Sequence, residues 1–134
     1  MSVVDQLRAL LDRHCASLDE DIGAIGRKLS AMNPASERYR ETIQETVALV
    51  HTVNGSSGSL GFSALSDAAA NLEDVLNDIA RSTTPSDETD ITQALKLFDE
   101  MQAIATTTNP EDSHLFNVDL AKLGQDSGAR SKPA

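Results

Sequence analysis

The chain has 134 residues, of which 21 are acidic and 11 are basic, so its formal net charge at pH 7 is −10. This charge argues against nucleic acids and anionic membranes as ligands, because both are bound through Lys and Arg. The length suits one domain, and three Phe, one Tyr and no Trp leave an aliphatic core of the kind that closely packed helices form.

The first half of the chain predicts two helices. Apolar residues recur at helical spacing across residues 2–31, which indicates a long amphipathic helix. This helix must end by Asn33, because the residue before a proline disfavours the helical conformation. Ser36 offers an N-cap for a second helix that continues to about Leu60, where Gly61 is expected as a left-handed cap. The inner face of the second helix is predicted to carry Tyr39, Ile43, Val47, Val50, Val53 and Ser57.

The second half predicts two more helices. Ser63 is expected to cap a third helix over residues 63–81, and Ser86 or Asp87 a fourth helix that ends near Thr107. Both segments are amphipathic at helical period. Four such helices with short connections predict an all-α fold, an antiparallel up-down-up-down four-helix bundle.

The bundle is expected to occupy residues 1–108. Residues 109–134 are polar and are expected to be largely disordered, with apolar residues for one short docked helix over 113–123. The N-terminus lacks the uninterrupted apolar core of a signal peptide, which makes the cytoplasm the expected compartment. The longest uncharged run, residues 46–66, is too rich in Ser and Gly to insert into a membrane.

Residues 47–62 break the helical preference of the second helix. They hold His51 and three glycines, and each interior Gly costs roughly 1 kcal/mol of helix stability relative to Ala. Conflicts of this kind collect at functional sites. Gly55 and Gly58 share the helical face of His51, which turns roughly 130° away from the apolar stripe. We therefore expect an outward imidazole with open space beside it, on a charge-depleted surface typical of protein interfaces.

Hairpin geometry predicts a partner for this imidazole. If the second and third helices run antiparallel about a turn near residue 62, Glu73 is level with His51. Its carboxylate would accept a hydrogen bond from Nδ1–H of His51 and leave the lone pair of Nε2 free. The alternative is a solvated Glu73 that makes no contact.

The segment that begins at His51 resembles the phospho-acceptor segment of histidine phosphotransfer (HPt) domains, including the one at the N-terminus of chemotaxis histidine kinases. The family pattern is His, any residue, an aliphatic residue, Lys or Arg, Gly and two small residues, with a Gly-Phe-like helix end. The matching residues are His51, Val53, Gly55, Ser56, Ser57, Gly58, Gly61 and Phe62. Asn54 departs from the pattern, and the resemblance extends over about the first 108 residues.

The resemblance implies a phosphorelay phosphocarrier. His51 would accept a phosphoryl group and pass it reversibly to or from a receiver-domain aspartate, and Glu73 would orient the imidazole. The implied partners are a response-regulator receiver domain and a sensor histidine kinase, with the Mg²⁺ on the receiver and no cofactor on this chain. Asn54 would neighbour the phosphoryl group in place of Lys, with a hydrogen-bond donor but no charge. The residues expected to contact a partner are Val47, Ala48, Gly55, Gly58, Ser59 and Phe62.

Other functions have weaker support in the sequence. The three glycines lack the Lys-Ser/Thr of a nucleotide loop, so we expect a phosphocarrier and not an ATP-dependent enzyme. His14 and His114 are expected to be surface or boundary residues, Cys15 a small core or boundary residue, and no His or Cys pattern has metal-ligand spacing. We expect a monomer, because a helix pair with one open face needs no second copy to bind a partner. The remaining alternative is a helical adaptor or inhibitor that binds receiver or kinase domains without carrying phosphate, which the uncharged Asn54 favours.

Overall fold

The computed structural model describes residues 2–82 and 88–115. These residues contain no strand and form four α-helices and a short 3₁₀ helix: α1 (Val3–Ser30), α2 (Tyr39–Ser59), α3 (Ser63–Arg81), α4 (Glu88–Thr106) and Pro110–Asp112. Each α-helix packs against the next, and α1 also packs against α4, which closes the bundle. The predicted all-α four-helix bundle is confirmed. None of the helices in the described ranges combines the length and hydropathy that a membrane span requires.

The first helix shows how the sequence builds the core. Ser2 caps α1, because its hydroxyl accepts the backbone N–H of Asp5 at 3.0 Å. Arg27 and Lys28 lie in the last turn, where the helix dipole favours positive charge. The residues that α1 buries repeat at helical spacing and are Leu11, Leu18, Ile22, Ile25 and Leu29. One stripe of aliphatic side chains therefore joins the hydrophobic core of the bundle.

The inner face of α2 differs from the prediction at Tyr39, Thr46 and Val47. The residues that this helix buries are Ile43, Thr46, Val50, Val53 and Ser57. Thr46 is buried where Val47 was expected, and both Val47 and Tyr39 are only half-buried. The Thr46 hydroxyl donates to the carbonyl of Thr42 at 2.7 Å, so the buried oxygen is satisfied within its own helix.

The predicted N-caps Ser36 and Ser63 are wrong. Ser36 closes a turn before α2, where its hydroxyl accepts the backbone N–H of Arg38 and its carbonyl accepts that of Tyr39, both at 3.1 Å. The helix consequently starts at Tyr39. Ser63 lies inside α3, whose N-cap is Phe62 without a side-chain cap bond. At Ser36 the hydroxyl thus favours a tight turn over capping.

Several predictions concern parts of the chain outside the described residues. The expected caps of α4, Ser86 and Asp87, lie there. So do residues 116–134, which include most of the predicted docked helix and most of the tail that was expected to be largely disordered. The end of α4 is described and falls at Thr106, one residue before the predicted end.

The segment after α4 folds back against the turn between α2 and α3. Ser113 is fully buried there, and the backbone N–H of His114 donates to the carbonyl of Gly61 at 2.7 Å. Arg8 of α1 pairs with Glu111 of the 3₁₀ helix at 2.8 Å. The start of the segment that was expected to be a polar tail is thus part of the folded unit, and it supports the turn that sets the α2–α3 hairpin.

The end of α2 is a Schellman motif. The backbone N–H of Phe62 donates to the carbonyl of Ser57 at 2.8 Å, and that of Gly61 to the carbonyl of Gly58 at 3.2 Å. Gly61 has φ +85°, which confirms the predicted left-handed cap. A Cβ atom on Gly61 would lie 2.7 Å from the backbone nitrogen of Leu115. Both the backbone conformation and the close packing therefore require glycine here.

Replacing Gly61 tests this constraint. Gly61→Ala should lower the free energy of unfolding by about 1–3 kcal/mol, because a non-glycine residue is strained at positive φ and its methyl group meets backbone. Urea unfolding followed by circular dichroism measures the change. The matched control is Gly55→Ala, where a Cβ meets nothing within 4 Å; in a helix interior this change should stabilise by about 0.5–1 kcal/mol. Equal stability of the two variants would contradict the packing described here.

Candidate functional site

His51 projects from the outer face of α2. Its side chain is 72% exposed, as expected from its position on the helical wheel. One turn later Gly55 is exposed as well, and a Cβ atom built there meets nothing within 4 Å. The imidazole is therefore open on this side to a second molecule, as the glycine at the fourth following position predicted.

The predicted contact with Glu73 is present. Nδ1 of His51 lies 2.9 Å from Oε2 of Glu73 on α3, and the Glu73 side chain is only 16% exposed. A carboxylate oxygen accepts hydrogen bonds and donates none, so Nδ1 carries the proton. The ring nitrogen with an available lone pair is then Nε2. The antiparallel register of α2 and α3 places the two side chains at the same level.

Asn54 is engaged with α3 and is not a solvated surface residue. Its Nδ2 donates to Oε1 of Glu73 at 3.3 Å, and its Oδ1 accepts the hydroxyl of Ser66 at 2.7 Å. The amide is half-buried between the helices. Sequence reasoning missed Ser66, although a signal was present: the register that brings Glu73 level with His51 also brings Ser66 level with Gly58.

Gly58 has a different structural role from the one predicted. It was expected to clear space beside His51, but a Cβ atom on Gly58 would lie 3.1 Å from Oγ of Ser66. This glycine allows α3 to approach α2 closely. Of the two glycines on the face of His51, Gly55 alone leaves open space, and Gly58 accommodates the opposite helix.

The predicted partner contacts fall into two groups. Ala48, Gly55, Gly58 and Ser59 are exposed, and Val47 is half-exposed beside them. Phe62 was wrongly placed in this group, because its side chain is 3% exposed and belongs to the core. The turn after α2 directs this aromatic ring inward. Phe62 supports the hairpin and cannot itself meet a partner.

A comparison with protein-family models identifies the chain. The model of the Hpt domain matches residues 5–106. The chain belongs to the Hpt domain family. No curated protein and no solved structure matches it. Hpt domains carry phosphoryl groups on histidine in phosphorelays and interact with kinase and receiver domains, as carriers and not as classical enzymes. This chain therefore acts in histidine phosphotransfer.

The other described histidines of this Hpt domain have different surroundings. His14 is half-buried, stacks on Phe62 at 5.4 Å between ring centroids and has Nε2 3.2 Å from Oγ of Ser57. Burial lowers the pKa of His14, and the nearby Asp21 opposes this shift. It is a boundary residue, as predicted. The side chain of His114 is exposed, and its backbone N–H binds the α2–α3 turn.

The remaining candidate nucleophile and ligands give no second site. Cys15 is half-buried, and burial, together with the acidic residues around it, raises the pKa of its thiol. A raised pKa disfavours the reactive thiolate, which fits the predicted boundary role. Within the described ranges no three or more His, Cys, Asp or Glu residues come together in an arrangement that could hold a metal ion.

Proposed function

We propose that His51 is the phospho-acceptor of this Hpt domain and that it exchanges the phosphoryl group reversibly with an aspartate of a response-regulator receiver domain. The observation that carries the proposal is the exposed imidazole whose Nδ1 is 2.9 Å from Glu73. Among the residues that the structure describes, neither of the other two histidines combines exposure of the ring with a carboxylate partner. A sensor histidine kinase is the proposed source of phosphoryl groups for the relay.

The chemistry requires one bond to form as another breaks. The lone pair of Nε2 attacks the phosphorus of the receiver's aspartyl phosphate in line with the leaving carboxylate oxygen. The N–P bond forms, the P–O bond breaks, and the aspartate leaves as a carboxylate. Nδ1 keeps its proton, and the Glu73 carboxylate stabilises the positive charge that develops on the ring. The same contacts serve the reverse reaction.

Charge neutralisation is expected from the partner. No Lys or Arg occurs from Thr46 through Ser66, so the part of α2 around His51 brings no cation to the phosphoryl group. Phosphoryl transfer depends mainly on positioning and charge stabilisation. We expect the receiver to bring both Mg²⁺ and a Lys, and the Hpt chain to contribute the oriented nucleophile. We also expect it to work as a monomer in the cytoplasm.

The surface that would meet the receiver surrounds His51. We define the docking face as Val47, Ala48, Gly55, Gly58 and Ser59. It is free of charged side chains, and its small residues let a second backbone come close to the imidazole. Charge-depleted patches of this kind form the centres of protein interfaces, where desolvation has little cost.

The second candidate function is a phosphate-free adaptor or inhibitor that binds through the same docking face. The observation that favours it is Asn54, which stands where the Hpt pattern has Lys or Arg and carries no charge toward a phosphoryl group. The two functions share a partner and a surface. They differ only in whether His51 becomes phosphorylated.

Phosphorylation of the purified chain separates the two functions. Incubation with a phosphorylated receiver, or with an active sensor kinase and ATP, should produce a label that acid removes and base does not. His51→Gln should abolish the label, because Gln has no nucleophilic ring nitrogen. His14→Gln and His114→Gln are matched controls and should retain it. Label that persists on His51→Gln would refute the site, and an unlabelled wild type that still binds the receiver would favour the adaptor.

The docking face makes a separate prediction about affinity. Gly55→Leu should weaken receiver binding about 10- to 100-fold, because the side chain fills the open space beside the imidazole. Isothermal titration calorimetry measures the affinity, and circular dichroism should show unchanged helicity. The control Thr92→Leu places the same side chain on an exposed position of α4, which packs against α1 and α3. If both variants bind like wild type, the receiver does not use this face.

A further inference from the structure

We propose that Ser66 and Asn54 are positioning residues that hold the Glu73 carboxylate, and through it the His51 ring, in the orientation needed for phosphoryl transfer. This inference rests on the proposed function of His51. Neither residue needs to touch the phosphoryl group in this role. In this role Asn54 binds side chains of α3 across the helix interface. It does not need to replace the charge of the Lys in the Hpt pattern.

The four side chains form one continuous chain of hydrogen bonds. Oγ of Ser66 donates to Oδ1 of Asn54 at 2.7 Å and also lies 3.2 Å from the Asn54 backbone carbonyl oxygen. Nδ2 of Asn54 donates to Oε1 of Glu73 at 3.3 Å, and Nδ1 of His51 donates to Oε2 at 2.9 Å. Each oxygen of the carboxylate therefore has its own donor.

The donor-to-acceptor direction of these hydrogen bonds follows from the chemistry of the Asn54 amide. Asn54 has an accepting oxygen at one end and a donating NH₂ at the other, and Glu73 can only accept. If the amide were reversed, its oxygen would face the carboxylate and two acceptors would meet. The Ser66 hydroxyl supplies the donor that favours the observed direction. Removing that hydroxyl leaves Oδ1 of Asn54 without its 2.7 Å partner and weakens the preference.

His51 depends on this arrangement because little else holds its ring. The side chain is 72% exposed, so packing does not fix it, and the Glu73 contact is its one hydrogen bond in the described part of the chain. A carboxylate held by one donor can rotate about its last bond, whereas two donors on different oxygens fix its plane. Networks of this type orient a functional group more firmly than single contacts do.

Gly58 completes the arrangement from the α2 side. Its missing side chain leaves room for Oγ of Ser66, which would be 3.1 Å from a Cβ atom at this position. The close approach of α3 brings the hydroxyl within reach of Asn54 on the preceding turn. Gly58 thus admits the Ser66 hydroxyl, and Asn54 binds it.

The test compares the tautomer of His51 with its reactivity. In Ser66→Ala, nitrogen-15 NMR should show a larger share of the Nε2–H tautomer than in wild type, and the transfer rate from a phosphorylated receiver should fall about 3- to 10-fold, as expected for the loss of one hydrogen bond. Receiver affinity should not change. Ser66→Thr keeps the hydroxyl and should restore both values. The matched control is Ser63→Ala, an exposed position on the same helix.

A double-mutant cycle shows whether the effect passes through the carboxylate. Ser66→Ala should have no further effect on tautomer or rate in a Glu73→Ala background, because the group that it positions is gone. Asn54→Leu removes the same chain of bonds from α2 and should shift the tautomer in the same direction, which keeps the test available if Ser66→Ala folds poorly. A wild-type tautomer ratio in these variants overturns the proposal.

The tautomer measurement needs no phosphoryl group, so it separates this proposal from the function of His51. If wild type takes up no label but Ser66→Ala shifts the tautomer, the proposed function fails and the positioning role stands. If wild type is labelled on His51 and the tautomer is insensitive to Ser66, the function stands and the positioning role fails.

Discussion

The hydrogen bond from His51 to Glu73 joins α2 and α3 where an exposed imidazole meets a mostly buried carboxylate. The bond requires that α2 and α3 keep one register, since a shift by a single residue would rotate the carboxylate about 100° around its helix. That register is set at the turn. Gly61 reverses the chain in a left-handed conformation, and Ser113 and His114 pack against the turn from outside.

The bundle lets one helix serve two purposes. The inner face of α2 contributes aliphatic side chains to the core, so the helix is held rigidly while its outer face stays free of packing demands. Gly55 on that outer face leaves open space beside the imidazole. The helix penalty of the glycines is offset by burial on the other side, which is why a conformationally poor segment stays helical from Tyr39 to Ser59.

The sequence predicted the bundle, the outward histidine and its acidic partner because these follow from two simple regularities. Helical period separates the inner from the outer face, and antiparallel pairing about a turn fixes which residues are level. The same pairing also brings Ser66 level with Gly58. The role of Ser66 was missed because it depends on which atoms of Asn54 face α3. Gly58 was misjudged for the same reason, since a helical wheel describes one helix and not its neighbour. Phe62 was misplaced because the direction of a side chain at a helix end depends on the turn. Ser36 and Ser63 were wrongly predicted as N-caps, because the turns before α2 and α3 place Arg38 and Phe62 at those positions.

The central claim is that Glu73 holds the proton on Nδ1 and thereby reserves Nε2 for phosphorus. The most direct measurement is phosphorus-31 and nitrogen-15 NMR of the phosphorylated protein, which shows which ring nitrogen is bonded to phosphorus. The account predicts coupling between phosphorus and Nε2 of His51, with Nδ1 still protonated. A phosphoryl group on Nδ1 would contradict it, because the hydrogen bond to Glu73 would then have to break before transfer.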